Sequence, residues 1–182
     1  MSAGEVLIRP SRDDDIAAIA AIYAHHVLHG IASFEEVPPD DAEMARRRGE
    51  LIARGFPYLV AERVGKLIGY CYSGPYRARV GYRFTVEDSI YIDASEVGRG
   101  IGRALLTQVI ERSAELGYRQ MIAVIGGSKT WPSINLHKAL GFAQIGVFPG
   151  IGFKFGRWVD SVYMQRALGP GNTTLPGLGE GS

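Results

Sequence analysis

The chain has 182 residues, 46% of them hydrophobic and 21% charged, with a formal net charge of +1. That length suits one domain around one sizeable core, and the balanced charge excludes the basic footprint of a nucleic-acid binder. The single cysteine, Cys71, excludes an internal disulfide, and no apolar run approaches the length of a membrane span.

Val6 to Arg9 reads as a first strand; broken by Pro10, it is too short for a signal peptide. A soluble cytoplasmic enzyme or binding module fits these features. Ser11 and Asp14 form a candidate capping box. Ile16, Ile19, Ala20, Tyr23 and Val27 then recur at helical spacing until Gly30. Pro38 and Pro39 lead to Asp40, the expected N-cap of a second helix running to about Arg54, with Arg46, Arg47 and Arg48 on its solvated face. Tyr58–Arg63 and Leu67–Ser73 read as a hairpin around Val64-Gly65-Lys66, with Cys71 as a buried, inert thiol.

Gly74 to Tyr82 is irregular and basic, and Thr85–Ile92 is the next strand. A long helix follows over about Gly100–Leu116, with Gly117 in the C′ position. Gln120–Ile125 is short and apolar, a buried strand. Pro132–Leu140 reads as a short helix, and Phe142–Val147 and Trp158–Gln165 as the last strands. The order β-α-α-β-β-β-α-β-α-β-β points to an α/β domain, residues 1–168, with a mixed sheet. The segment from Gly169 to Ser182, GPGNTTLPGLGEGS, reads as a flexible tail.

The chemistry concentrates at Gly98-Arg99-Gly100-Ile101-Gly102, between a strand and a helix. Glycines let backbone N–H groups approach a ligand, and a helix N-terminus favours an anion. A phosphorylated cofactor is therefore expected. A dinucleotide fingerprint needs its third glycine one residue later, and no G-K-[ST] completes a Walker loop. His25 and His29 have metal-ligand spacing, but no acidic or cysteine partner lies nearby, and no metal is expected.

Several strings are more specific: ASFEE with the following Pro-Pro, GFPYLVAE, GYCYSGPYRAR, TVE-x-S-IYI, SINLHKALGF and GFKFGRWVD. On these, over roughly residues 6 to 166, the chain resembles the phosphinothricin and methionine sulfoximine acetyltransferases of the GNAT superfamily. The resemblance implies the GNAT fold, a central mixed, mostly antiparallel twisted sheet splayed at the cofactor site and flanked by helices. It implies acetyl-CoA as co-substrate and direct attack by the amine of a small amino acid analogue in a ternary complex. It also implies a homodimer whose acceptor pocket involves both chains.

The implied cofactor residues are Ile90, Tyr91 and Ile92 on the strand edge. Val97, Gly98, Arg99, Gly100, Ile101, Gly102 and Arg103 surround the pyrophosphate, and Thr130 and Ser133 lie along the pantetheine arm. Glu87 is the expected base, because a carboxylate inside a strand is unusual for packing; His137 is the second catalytic candidate. The implied acceptor pocket maps onto Phe34, Glu35, Val80, Gly81, Tyr82, Arg83 and Lys154, with Arg79, Arg83 and Lys154 suited to a carboxylate or phosphinate. The tip GIGFKFG is a candidate lid or dimer contact. Two positions depart from the family pattern: Val97 stands where relatives carry Arg or Gln, and Thr130 where they carry Asn. Acetylation of another amine, an antibiotic or a protein N-terminus, and non-catalytic binding of acyl-CoA or an amino acid both stay open.

Overall fold

The computed structural model describes residues 4–176. In chain order the elements are β1 (Leu7–Pro10), α1 (Ile16–His29), α2 (Asp41–Ala53), β2 (Tyr58–Arg63), β3 (Lys66–Pro75), β4 (Thr85–Ile92), α3 (Ile101–Glu115), β5 (Gln120–Gly126), α4 (Trp131–Ala139), β6 (Ala143–Lys154) and β7 (Arg157–Ala167). One seven-stranded sheet runs β1-β2-β3-β4-β5-β7-β6. Only β4 and β5 are parallel neighbours, because α3 carries the chain back across the sheet between them.

Each sheet face is covered. On β2, Leu59 and Ala61 join a core with Leu105, Leu106 and Val109 of α3. Tyr58 and Val60, alternating with them, pack with Ile19, Tyr23 and Val27 of α1. Burial on both faces explains why Tyr58–Ala61 reads as an unbroken apolar run. Val64 and Gly65, at φ 50° and 75°, form the tight turn into β3. Cys71 is fully buried, and burial pushes its thiol well above the ordinary value.

Three local expectations change. The carboxylate opening α1 is Asp15, not Asp14: it accepts the Arg12 N–H at 2.6 Å and two guanidinium bonds from Arg9 at 2.8 Å. Ser11 is instead occupied by Arg48, whose Nε donates to Ser11 Oγ at 2.7 Å. Arg48 is thus buried rather than solvated, and its guanidinium also bonds the Ser11 carbonyl and Asp13. The last hairpin is far longer than its apolar runs, because β6 continues through Pro149, Gly150 and Gly152 with register shifts at Gln144/Gly146 and Phe148/Gly152. GIGFK therefore lies on a strand, and only the Phe155-Gly156 turn is a tip.

Of the expected tail, Gly171 is buried, and Arg119 donates to the carbonyls of Gly171 and Thr174 at 2.8 Å. Residues 177–182 lie outside the described part. Among the described residues no helix is long and apolar enough to cross a membrane.

Candidate active site

The site begins where the sheet comes apart. β4 pairs with β3 as far as Ile92, opposite Gly69, but with β5 only from Thr85 to Asp88, opposite Ala123. Backbone groups alternate along a strand. Thr85 O and Asp93 N bond toward β3, so the even-numbered peptide groups face the other way. Phe84 O bonds Arg119 and Gln120 at the start of β5, as that alternation requires. Past Asp88, the peptide groups of Ile90 and Ile92 face the opening and have lost their strand partner. Those of Tyr91 face β3; Tyr91 offers the opening its ring. A cavity of about 220 Å³ lies in the fork, lined by Ile90, Tyr91, Ile125, Thr130, Ser133 and His137 among others.

The glycine loop lies beyond the end of β4. Gly98 and Gly100 sit at φ 82° and 80°, left-handed backbone that favours glycine, and a Cβ at either would meet nothing within 4 Å. Gly102 is closely packed instead: a Cβ there would lie 3.2 Å from the Leu136 side chain of α4. The first bond inside α3 runs from Ala104 N to the Gly100 carbonyl. The N–H groups of Ile101, Gly102 and Arg103 therefore precede the helical ladder and stand free for an anion. Val97 is exposed, Arg99 lies 3.6 Å from Glu96, and Arg103 has no ion-pair partner among the described residues. This open, donor-lined cradle fits a pyrophosphate, and it does so through backbone groups that the valine at position 97 leaves intact. Replacing Gly100 with Val is expected to weaken CoA binding by at least tenfold in calorimetry, since a β-branched residue resists positive φ. An unchanged Kd would remove the loop from the phosphate site.

Glu87 forms the wall between two cavities. One is the fork; the other, about 390 Å³, lies toward α2 and is lined by Arg47, Arg54, Tyr72, Gly74, Glu87 and Ser89 among others. Burial pushes the Glu87 carboxyl up to about 7, helped by the neighbouring Asp88 charge and opposed by the Arg77 guanidinium. A carboxyl poised near neutrality can accept a proton from an amine at working pH.

Asp88 points to the opposite face of β4, where His137 of α4 meets it. His137 Nε2 lies 3.1 Å from Asp88 Oδ2, and Nδ1 lies 2.7 Å from the Ser133 carbonyl. A carbonyl only accepts, so Nδ1 carries hydrogen. Burial works against a charged imidazole, but the hydrogen bond and charge of Asp88, with the Ser133 carbonyl, raise its pKa. Asp88 Oδ1 is buried with no partner. Thr130 bends back on its own loop, donating from Oγ1 to the Gly126 carbonyl at 2.7 Å.

The residues expected at the acceptor pocket divide. Phe34 lines the fork, its ring seated against Gly152, where a Cβ would lie 2.7 Å away. Glu35 takes a 2.6 Å ion pair from Arg47, at the α2-side cavity. Val80, Gly81 and Tyr82 form an exposed turn that lines neither cavity, and Arg83 lies over the Phe84 ring at 4.7 Å. Lys154 is buried and donates to the Ser33 carbonyl at 2.6 Å, fastening the α1–α2 connection. Sequence reasoning missed Arg47, whose place in an arginine run marks it only as solvated helix. It also missed Arg77, although it lies in the GYCYSGPYRAR string, and Ile31, whose carbonyl sits so close to β5 that a Cβ on Gly126 would fall 1.9 Å from it.

A family model described as an acetyltransferase (GNAT) domain matches residues 8–163. The chain belongs to the GNAT acetyltransferase family. It is 56% identical over 169 residues to a phosphinothricin N-acetyltransferase of Alcaligenes faecalis, covering 93% of this chain and 86% of that protein. It is 39% identical over 162 residues to an L-methionine sulfoximine/L-methionine sulfone acetyltransferase of Salmonella typhimurium, covering 88% and 94%. A crystal structure of a GNAT superfamily phosphinothricin acetyltransferase from Sinorhizobium meliloti, in complex with AcCoA, superposes with a TM-score of 0.93 at 47% identity, covering 96% of this chain and 94% of that one. The chain is thus an acetyl-CoA-dependent N-acetyltransferase, and the GNAT sheet, forked between β4 and β5, is its framework. No group of three His, Cys, Asp or Glu side chains among the described residues could hold a metal ion.

Proposed function

We propose that this enzyme acetylates the α-amino group of a small amino acid analogue of the phosphinothricin, methionine sulfoximine or methionine sulfone type, by direct attack in a ternary complex. The observation that carries the reading is the position of Glu87, a carboxyl held near neutral pKa on the wall shared by two cavities. Acetyl-CoA lies in the fork, with its pyrophosphate on the Gly98–Arg103 cradle and its pantetheine along Ile90 and Ile92, past Thr130 and Ser133. The acceptor enters from the α2 side, where Arg47, Arg54 and the nearby Arg77 suit a carboxylate or phosphinate. The amine nitrogen attacks the thioester carbonyl, a C–N bond forms, and the C–S bond breaks. The surplus amine proton passes to Glu87, directly or through water, and the CoA thiolate leaves with a proton taken from water, to which Glu87 gives up its own. Activity should rise with pH and level off above about 7, following ionisation of Glu87.

His137, with both ring nitrogens engaged inside the fold, supports a positioning role for α4 rather than a direct proton transfer. The identity of the phosphinothricin N-acetyltransferase relative supports the acceptor class. The test is CoA thiol release over a panel of phosphinothricin, methionine sulfoximine, methionine sulfone, common amino acids, an aminoglycoside and short peptides. A signal confined to the first three supports the reading. A stronger signal with the aminoglycoside or a peptide overturns the acceptor class, and silence on every amine despite acetyl-CoA binding overturns turnover itself.

The working form is proposed to be a cytoplasmic homodimer. β6 is an edge strand, and Ile145, Phe148, Ile151 and Phe153 on it are exposed, as is Trp158 at 70% on β7. An apolar edge of this length is ordinarily covered, and a second copy would cover it. Sedimentation equilibrium should give twice the 19.8 kDa chain mass, and a monomer mass at working concentration overturns the dimer.

A further inference from the structure

The fork leaves β4 with a problem that α1 solves. Beyond Asp88 the strand has no β5 neighbour, and Ile90 and Ile92 turn their peptide groups into the opening. A half-buried carbonyl without a partner is destabilising. At Ile92 the missing partner is supplied from outside the sheet: His26 Nε2 of α1 lies 2.9 Å from the Ile92 carbonyl. The carbonyl can only accept, so the Nε2 atom donates and this tautomer is fixed. Burial holds the His26 pKa below its ordinary value, with His25 acting in the same direction and the bond to Ile92 opposing. The ring also lies 5.5 Å from that of Tyr91, which in turn meets Tyr23 of α1 edge-on at 5.0 Å. Two successive residues of the strand end, which β3 supports on one side only, are therefore braced by one helix, Tyr91 by its side chain and Ile92 by its backbone.

We infer that His26 is a positioning residue for acetyl-CoA, holding the free end of β4 at the register in which the pantetheine arm pairs with it. A carbonyl oxygen has two lone pairs. His26 takes one at Ile92 and leaves the other, together with the Ile92 N–H, for a ligand; the Ile90 groups carry no such brace. An extended amide chain entering the fork thus meets a strand edge already fixed at its outer end. Without the imidazole donor, only the bonds to β3 would hold the Ile92–Asp93 segment, its open side would have to be fixed by the ligand, and binding would weaken by that cost. No role of this kind follows from the sequence, where His26 is one of three histidines near the end of α1.

The inference rests on acetyl-CoA lying along β4, so binding is measured apart from turnover. Calorimetry would compare CoA with ADP, which carries the pyrophosphate but no pantetheine, on the wild type, His26→Leu and His26→Gln. His26→Leu should bind CoA roughly five- to tenfold more weakly, the equivalent of about one hydrogen bond. It should bind ADP with unchanged affinity. His26→Gln, which keeps an N–H donor, should recover most of the CoA affinity. The KM for acetyl-CoA should follow the CoA Kd, while kcat at saturation stays within about twofold, a split that a general loss of structure does not produce. In wild-type protein labelled with ¹⁵N-histidine, the His26 Nε2–H resonance should shift with CoA and stay in place with ADP. Unchanged CoA affinity in His26→Leu, equal losses for CoA and ADP, or a glutamine variant no better than leucine would overturn the role. A His26 resonance indifferent to CoA would do the same even if neither variant folds. Failure of CoA to bind wild type at all would instead count against the cofactor assignment.

Discussion

Glu87→Gln is expected to lower kcat by roughly a hundred- to ten-thousandfold, the usual contribution of a positioned general base, while the Kd for acetyl-CoA in calorimetry stays within about twofold. The amide keeps the volume and the strand position but cannot accept the amine's proton. The pH profile should change in shape as well as height. In the wild type the ascending limb reports ionisation of a carboxyl whose pKa is pushed up to about 7 by burial and by Asp88; in the variant that limb should vanish. Stability should move the other way. A carboxyl whose folded pKa lies above its ordinary value burdens the native state once pH exceeds that ordinary value, because folding then confines a charge that burial disfavours. Glu87→Gln should therefore be more resistant to thermal unfolding than wild type above about pH 7, a common relation between activity and stability. A variant with near-wild-type kcat and an unaltered ascending limb would show that another group takes the proton.

Much of this arrangement could be read from residue order, and the parts that could not have definite causes. Strand β4 reads from the sequence as Thr85–Ile92, and the structure gives it the same bounds. Asp40 capped α2 as its spacing implied, accepting Glu43 N–H at 2.8 Å. These features are local, set by propensity and by hydrogen bonds a few residues long. Arg48 escaped because its partners, Ser11 and Asp13, lie 37 and 35 residues away; a charged run on a helix carries no mark of which member turns inward. β6 escaped because Pro149, Gly150 and Gly152 carry the usual signs of a loop, whereas here bulges absorb them and Gly152 makes room for Phe34. Within the site, the base candidate was visible as a carboxylate in mid-strand. The functional consequence of parity was visible only in part: alternation separates Glu87 from Asp88, but the position of α4 decides that Asp88 meets a histidine. The same holds for His26, whose value depends on where β5 stops pairing with β4.

Replacing His137 with Ala should have the largest effect on stability. Both side chains of the Asp88–His137 pair are only 2% exposed, and Asp88 Oδ1 already lacks a partner. Removing the imidazole would leave the whole carboxylate buried and unpaired, a loss of about 3–5 kcal/mol for a buried ion pair broken from one side. In a chain of this size that corresponds to a fall in Tm of about 10 °C. Asp88→Asn should cost less, since the amide can still bond Nε2 while removing the charge, and the double variant should lose less than the sum of the two. The two single variants should also differ from wild type in pH dependence. The His137 pKa is raised in the folded protein above the ordinary 6.5, so the native state holds a proton that the unfolded chain releases. The pair's contribution is complete below that ordinary value and drains away as pH climbs through the folded one. Wild type should therefore lose stability relative to Asp88→Asn as pH rises above the ordinary histidine value of 6.5. Parallel stability curves for the two proteins across that range would mean that the imidazole is neutral in the fold, and that Asp88 and His137 are joined by a hydrogen bond without an ion pair.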